Sequence, residues 1–204
     1  MFDWIDLGNP VALWWIGLSI AGCLNIALWV WMYRTRDRAA SSAVLWLSFI
    51  YVAVCAFRSF LPRADVQRIT LFDTWLSSVF VGRTVATVGE LAFIAQWAVL
   101  LIFIGRRLES RWTATVGYVI FPLIFVAEIC SWYGVITTHY LGNVIEESLW
   151  ATSFAAVASA IALLATRARG SARIICAIAA IGCALYFTFM ITVDMPMYWG
   201  RLQQ

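Results

Sequence analysis

Gly82–Ile104 reads GRTVATVGELAFIAQWAVLLIFI, and the reading of this stretch decides the fold. As an α-helix, rising about 1.5 Å per residue, it would extend about 34 Å, enough to cross a hydrocarbon core about 30 Å thick. Its second half is apolar almost throughout, while its first half carries Arg83 and Glu90. A charge inside such a run is costly in lipid and has to be matched by a partner or by water.

The apolar run begins earlier, at Phe72, and a helix from there to Ile104 would reach about 50 Å, too long for one straight crossing. A division near Gly82 is expected. Upstream of it, Ile69, Phe72, Trp75, Leu76, Val79 and Phe80 recur at helical spacing with Thr70, Asp73, Thr74 and Ser77 between them. That pattern predicts a short interfacial helix over residues 70–81.

Working outward, further runs of comparable length lie at 11–33, 43–60, 112–133, 143–166 and 174–194. Asn9-Pro10 starts the first, Pro62 follows the second, and Pro196 is expected to end the last. The fold class is therefore an all-α polytopic membrane bundle of six transmembrane helices, with residues 1–204 forming a single integral membrane domain. Composition agrees, since 63% hydrophobic against 12% charged residues leaves too little polar surface for a water-soluble domain.

Orientation follows from arginine. The loops after the first, third and fifth helices carry nine (Arg34, Arg36, Arg38, Arg106, Arg107, Arg111, Arg167, Arg169, Arg173), while the opposite loops and tail carry three (Arg63, Arg68, Arg201). The positive-inside rule puts the first set in the cytoplasm and both chain ends outside, N-out/C-out. Trp14, Trp15, Trp75, Trp132 and Trp199 would mark the outer interface, with Trp29, Trp31, Trp46 and Trp112 at the inner one. The bias suits a bacterial inner membrane.

The same features exclude several functions. All fourteen basic residues are arginine, so there is no lysine for Schiff-base chemistry, which removes a retinal protein. The net charge of +3 is spent in short loops, leaving no basic surface for nucleic acid. Cys23, Cys55, Cys130, Cys176 and Cys183 fall inside apolar runs without metal or redox spacing. With Asp3 and Asp6 at the start and a long first run, the N-terminal segment reads as a retained helix. One histidine cannot supply a two-histidine haem or di-iron site.

What remains is a set of ionisable residues near one membrane face. Counted from the cytoplasmic helix ends, Arg58, Glu90 and Glu128 lie about 21 to 24 Å up, in the outer third of the bilayer. Glu147 and Asp194 lie higher, with Glu146 beside them and Arg83 at the outer edge. Arg83, Thr87 and Glu90 are spaced i, i+4, i+7 and share one helix face. The candidate catalytic groups are Glu90, Glu128, His139 and Glu147; Arg58, Arg83, Thr87 and Asp194 are the candidate substrate-binding groups.

A structural salt-bridge network fixing helix register would use the same arginines and carboxylates. Two arginines against up to five carboxylates exceed what register needs, so a hydrated outer chamber is expected. A carboxylate-only metal site at Glu90, Glu128 and Glu147 is the weaker reading of the same residues. Ser77, Ser78, Thr87, Cys130 and Ser131 are nucleophile types, none in a strained-turn motif.

A chamber open on one side favours an enzyme or binding protein acting on a membrane lipid or amphiphile of the outer leaflet, with arginine holding a phosphate or carboxylate. A small transporter or channel using the carboxylates for proton coupling needs a route through the lower half, where Asn25, Ser48, Gln96 and Tyr118 are the main polar groups. A non-catalytic subunit, with a membrane protein partner or a second copy of the chain, is the remaining class. No cofactor is named by any motif.

Overall fold

The computed structural model describes residues 8–36, 42–64 and 68–204; Asp3, Asp6 and Arg38 lie outside them. Its elements are α1 (Pro10–Thr35), α2 (Ser42–Phe60), β1 (Arg63–Ala64), β2 (Ile69–Thr70), a 3-10 turn (Trp75–Ser77), α3 (Val79–Arg107), α4 (Arg111–Thr137), α5 (Leu141–Arg167), α6 (Ser171–Phe189), a π turn (Met190–Asp194) and α7 (Met195–Leu202). Among the described residues six helical stretches are long and apolar enough to cross a membrane, the last running unbroken from Ser171 to Leu202. This is the architecture of a multi-pass membrane protein, in which each helix satisfies its own backbone.

Local chemistry sets the boundaries. Asn9 caps α1 by accepting from the Val11 N–H at 3.0 Å, with Pro10 in the first turn where its missing N–H costs nothing. Between α3 and α4, Glu109 adopts a left-handed conformation (φ 50°) and the Ser110 N–H reaches back to the Gly105 carbonyl at 2.8 Å, closing α3 in a Schellman-type turn. Ser110 then caps α4 through its hydroxyl. Thr138 (φ 58°) ends α4 in the same left-handed way.

Two segments differ from the sequence expectation. Residues 69–78 do not form one regular helix: β1 and β2 pair antiparallel (Arg63 with Thr70, Ala64 with Ile69), a single 3-10 turn follows, and α3 starts at Val79 instead of Gly82. The intervening hydroxyls divert the backbone, with Thr74 and Ser77 side chains hydrogen-bonded at 3.1 Å and the Arg63 guanidinium donating to the Ser77 carbonyl. Pro196 does not end the last helix. The preceding π turn widens the backbone at the position where a proline would strike an α-helical carbonyl, and helix resumes through α7.

The chain divides into two compact units, Met1–Phe93 and Ile94–Gln204, the division falling within α3. In the first unit α1 and α2 form an antiparallel hairpin. One end is held by the Trp15 indole donating to the Phe60 carbonyl (3.1 Å), the other by Trp29 donating to the Leu45 carbonyl (3.1 Å) within a cluster of Tyr33, Trp46 and Phe49. Gly22 lets α1 approach Ala56 and Ser59 of α2, and Gly89 of α3 lies against Val54.

In the second unit α4 packs on α5, and α5 on α6 and α7. The inward face of α4 repeats at helical spacing: Thr113, Val116, Gly117, Ile120, Ile124, Ala127, Glu128, Ser131, Gly134 and Val135 are buried. α4 and α5 approach to backbone contact at their adjoining ends, where a Cβ on Gly142 would stand 2.4 Å from the Cys130 carbonyl. Pro122 lies within a continuous α4, on its exposed side.

Candidate functional site

Arg58, two residues before the end of α2, and Glu90, on α3, form an ion pair at 3.8 Å. Arg83, one helical face and seven residues before Glu90, takes the other carboxylate oxygen at 3.2 Å. The two arginines differ in setting: the Arg83 side chain is 7% exposed and that of Arg58 39%. Three of the sequence candidates thus meet in the first unit, with two cations on one anion. Thr87, on the same face of α3, is half-buried.

A cavity of about 360 Å³ opens at this point, lined by Leu18, Tyr51, Val54, Cys55, Arg58, Ser59, Ala86 and Glu90. Tyr51, Cys55 and Arg58 project from one face of α2 at i, i+4, i+7, the same spacing as Arg83, Thr87 and Glu90 on α3. Tyr51 and Cys55 interact through their side chains, and the Tyr51 ring packs on Phe93 at 4.7 Å. The Ser59 hydroxyl is turned back onto the Cys55 carbonyl (2.8 Å), as serines in apolar helices commonly are. Four of these eight residues, Tyr51, Arg58, Ser59 and Glu90, are polar, and the wall carries both members of the Arg58–Glu90 ion pair. Tyr51 went unread in the sequence and Cys55 was read only as a thiol in an apolar run, although their spacing from Arg58 was the available signal.

In the second unit polar side chains lie between α4 and α5. Glu128 (2% exposed), Ser131 (0%), Asn143 (4%) and Glu146 (6%) are buried there. Glu128 and Glu146 bring carboxylate oxygens within 4.8 Å of each other, and Asn143 donates its amide to Glu146 at 3.3 Å. Two anions so close and so buried need a counter-charge nearby. Of the adjacent pair Glu146-Glu147, it is Glu146 that turns inward; Glu147 is half-buried. The i, i+3 spacing from Asn143 to Glu146 was the signal for the buried member.

His139 is exposed, its Nδ1 accepting from the Leu141 N–H at 3.3 Å at the start of α5, its ring 6.2 Å from that of Tyr133. Asp194 closes the π turn and is half-buried. Beyond it Arg201 lies over the rings of Tyr140 (5.8 Å) and Tyr198 (6.0 Å), a cation–π arrangement that ties α7 to the start of α5.

Among the nucleophile types, Ser77 is buried and bonded to Thr74, and Ser78 offers its oxygen to the Val81 N–H at the start of α3. Ser131 is buried in the carboxylate layer; Cys130 is half-buried, and all five cysteines are free thiols. The chain matches no family model, no curated protein and no solved structure.

Proposed function

We propose that this is a multi-pass protein of a bacterial inner membrane, with both ends extracytoplasmic, that takes the anionic head of an outer-leaflet lipid or amphiphile into the recess at Arg58, as an enzyme or binding protein. The observation that carries the reading is the unequal sharing of Glu90. Arg83 is the nearer and more buried partner, which leaves Arg58 with a long contact, a half-exposed side chain and a cavity in front of it. A guanidinium in that state offers several N–H donors to a phosphate or carboxylate.

The apolar part of the wall, Leu18, Val54 and Ala86, suits the first carbons of a chain attached to that head. Should the ligand react, Glu90 is the carboxylate at the cavity and so the group to move a proton there. The arginine count of the loops supports the outward orientation of the α2–α3 connection.

The test is Arg58→Gln in protein purified with its native lipid. Wild type should retain an anionic amphiphile through detergent washing, counted per chain by mass spectrometry, and Arg58→Gln should retain one molecule fewer while keeping its thermal stability. Equal numbers retained by both proteins would overturn the reading.

A further inference from the structure

A second cavity, of about 580 Å³, lies at the other end of α3, lined by Val99, Ile102, Phe103, Arg106 and Arg107. These positions are spaced i, i+3, i+4, i+7, i+8 and form one continuous face of the helix. Apolar side chains occupy its inner length and two arginines its end, where α3 turns into the loop before α4. Phe103 is 59% exposed and both arginines are exposed.

Arg106 is not a loose surface chain. It donates to the Tyr118 hydroxyl and its guanidinium stands 5.7 Å from the Tyr118 ring centre. Tyr118 thus holds the planar group in place while occupying only part of its donor set, so less side-chain freedom is lost when an anion binds. Glu109, the carboxylate nearest in sequence, does not line the cavity.

We propose that this face is a binding site for an anionic phospholipid, its phosphate held by Arg106 and Arg107 and its acyl chain laid along Phe103, Ile102 and Val99. Charge selects the occupant: paired guanidinium groups above an apolar helical strip match a headgroup with net negative charge on a hydrocarbon chain, and match neither half alone. The site is separate from the recess at Arg58, and its ligand comes from the leaflet on the arginine-rich side.

The experiment uses the full chain carrying Arg58→Gln, which takes the other recess out of the count, delipidated in a mild detergent, with phosphatidylglycerol and phosphatidylcholine of the same acyl chains added in turn and adducts counted by native mass spectrometry. Phosphatidylglycerol should be preferred by about tenfold or more, and Arg106→Gln/Arg107→Gln should weaken its binding about thirtyfold. Arg107→Gln alone, which leaves the Tyr118 contact intact, should lose about fivefold and serves where the double variant folds poorly. Arg169→Gln/Arg173→Gln, which removes as much charge from the loop after α5, should leave binding unchanged. Equal binding of the two lipids, equal loss in both arginine pairs, or full displacement by inorganic phosphate at the lipid's concentration would each overturn the proposal.

Discussion

Replacing Gly89 by alanine should loosen the arginine recess through a single packing fault. A Cβ built on Gly89 lies 2.5 Å from Val54 Cγ1, 2.8 Å from its Cβ and 3.2 Å from Cγ2. Ordinary carbon contacts begin near 3.5 Å, so the approach is short by about 1 Å. Valine in a helix has essentially one χ1 rotamer, so Val54 cannot swing aside, and α2 has to give way. Overpacking of this kind costs about 1–3 kcal/mol, against about 0.8–1 kcal/mol that alanine returns over glycine in helix propensity.

The consequence extends to function because Val54 and Arg58 are one helical turn apart on α2, and both line the cavity. Moving α2 away by about 1 Å would stretch an Arg58–Glu90 contact already at 3.8 Å beyond ion-pair range. Unfolding by SDS titration in mixed micelles would measure Gly89→Ala, Val54→Gly and the double variant. Val54→Gly carries its own penalty but removes all three clashing atoms, so the cycle should show about 1–3 kcal/mol of favourable coupling. Additive effects within about 0.5 kcal/mol would refute the close approach and with it the positioning of Arg58 against Glu90.

Gly142→Ala should destabilise the second unit by about 1–3 kcal/mol, because the new methyl would meet backbone atoms of Cys130 and Gly134 that cannot rotate away. Gly182→Ala, with nothing within 4 Å, is its control, and equal stability of the two by SDS titration would contradict the α4–α5 contact. Trp29→Phe keeps the aromatic cluster but loses the donor to the Leu45 carbonyl, so a loss of about 0.5–1.5 kcal/mol is expected in the same assay. In single-cysteine versions of the protein, an aqueous methanethiosulfonate reagent applied to intact membranes should label Cys55, which lines the recess, and spare Cys23, which is exposed midway along α1. The reverse pattern would mean that the recess is not hydrated.

Much of the fold was legible because lipid imposes one requirement on every spanning segment, an unbroken apolar helix, and that requirement leaves a mark about twenty residues long. The failures fall where backbone choice depends on a few side-chain atoms. From Ile69 to Ser78 the apolar spacing was right for a helix, yet Thr74, Ser77 and Arg63 satisfy the backbone in other ways. At Pro196 the usual rule of termination failed because five residues in a π turn absorb the ring. Neither event has a periodic signature.

The site was legible in part, and for a related reason. Depth along a helix can be counted, so Arg58 and Glu90 could be placed at one level from sequence alone, and they do meet. Which of two adjacent residues turns inward is a matter of about 100° of helix rotation, and counting depth says nothing about it. Glu146 and Glu147 sit at nearly one depth, but the rotation that buries Asn143 also carries its i+3 neighbour inward, and so it is Glu146 that receives the Asn143 amide. The same logic separates Arg58 from Arg83. Both pair with Glu90, but only Arg58 shares its helix face with Tyr51 and Cys55, and that face lines the cavity.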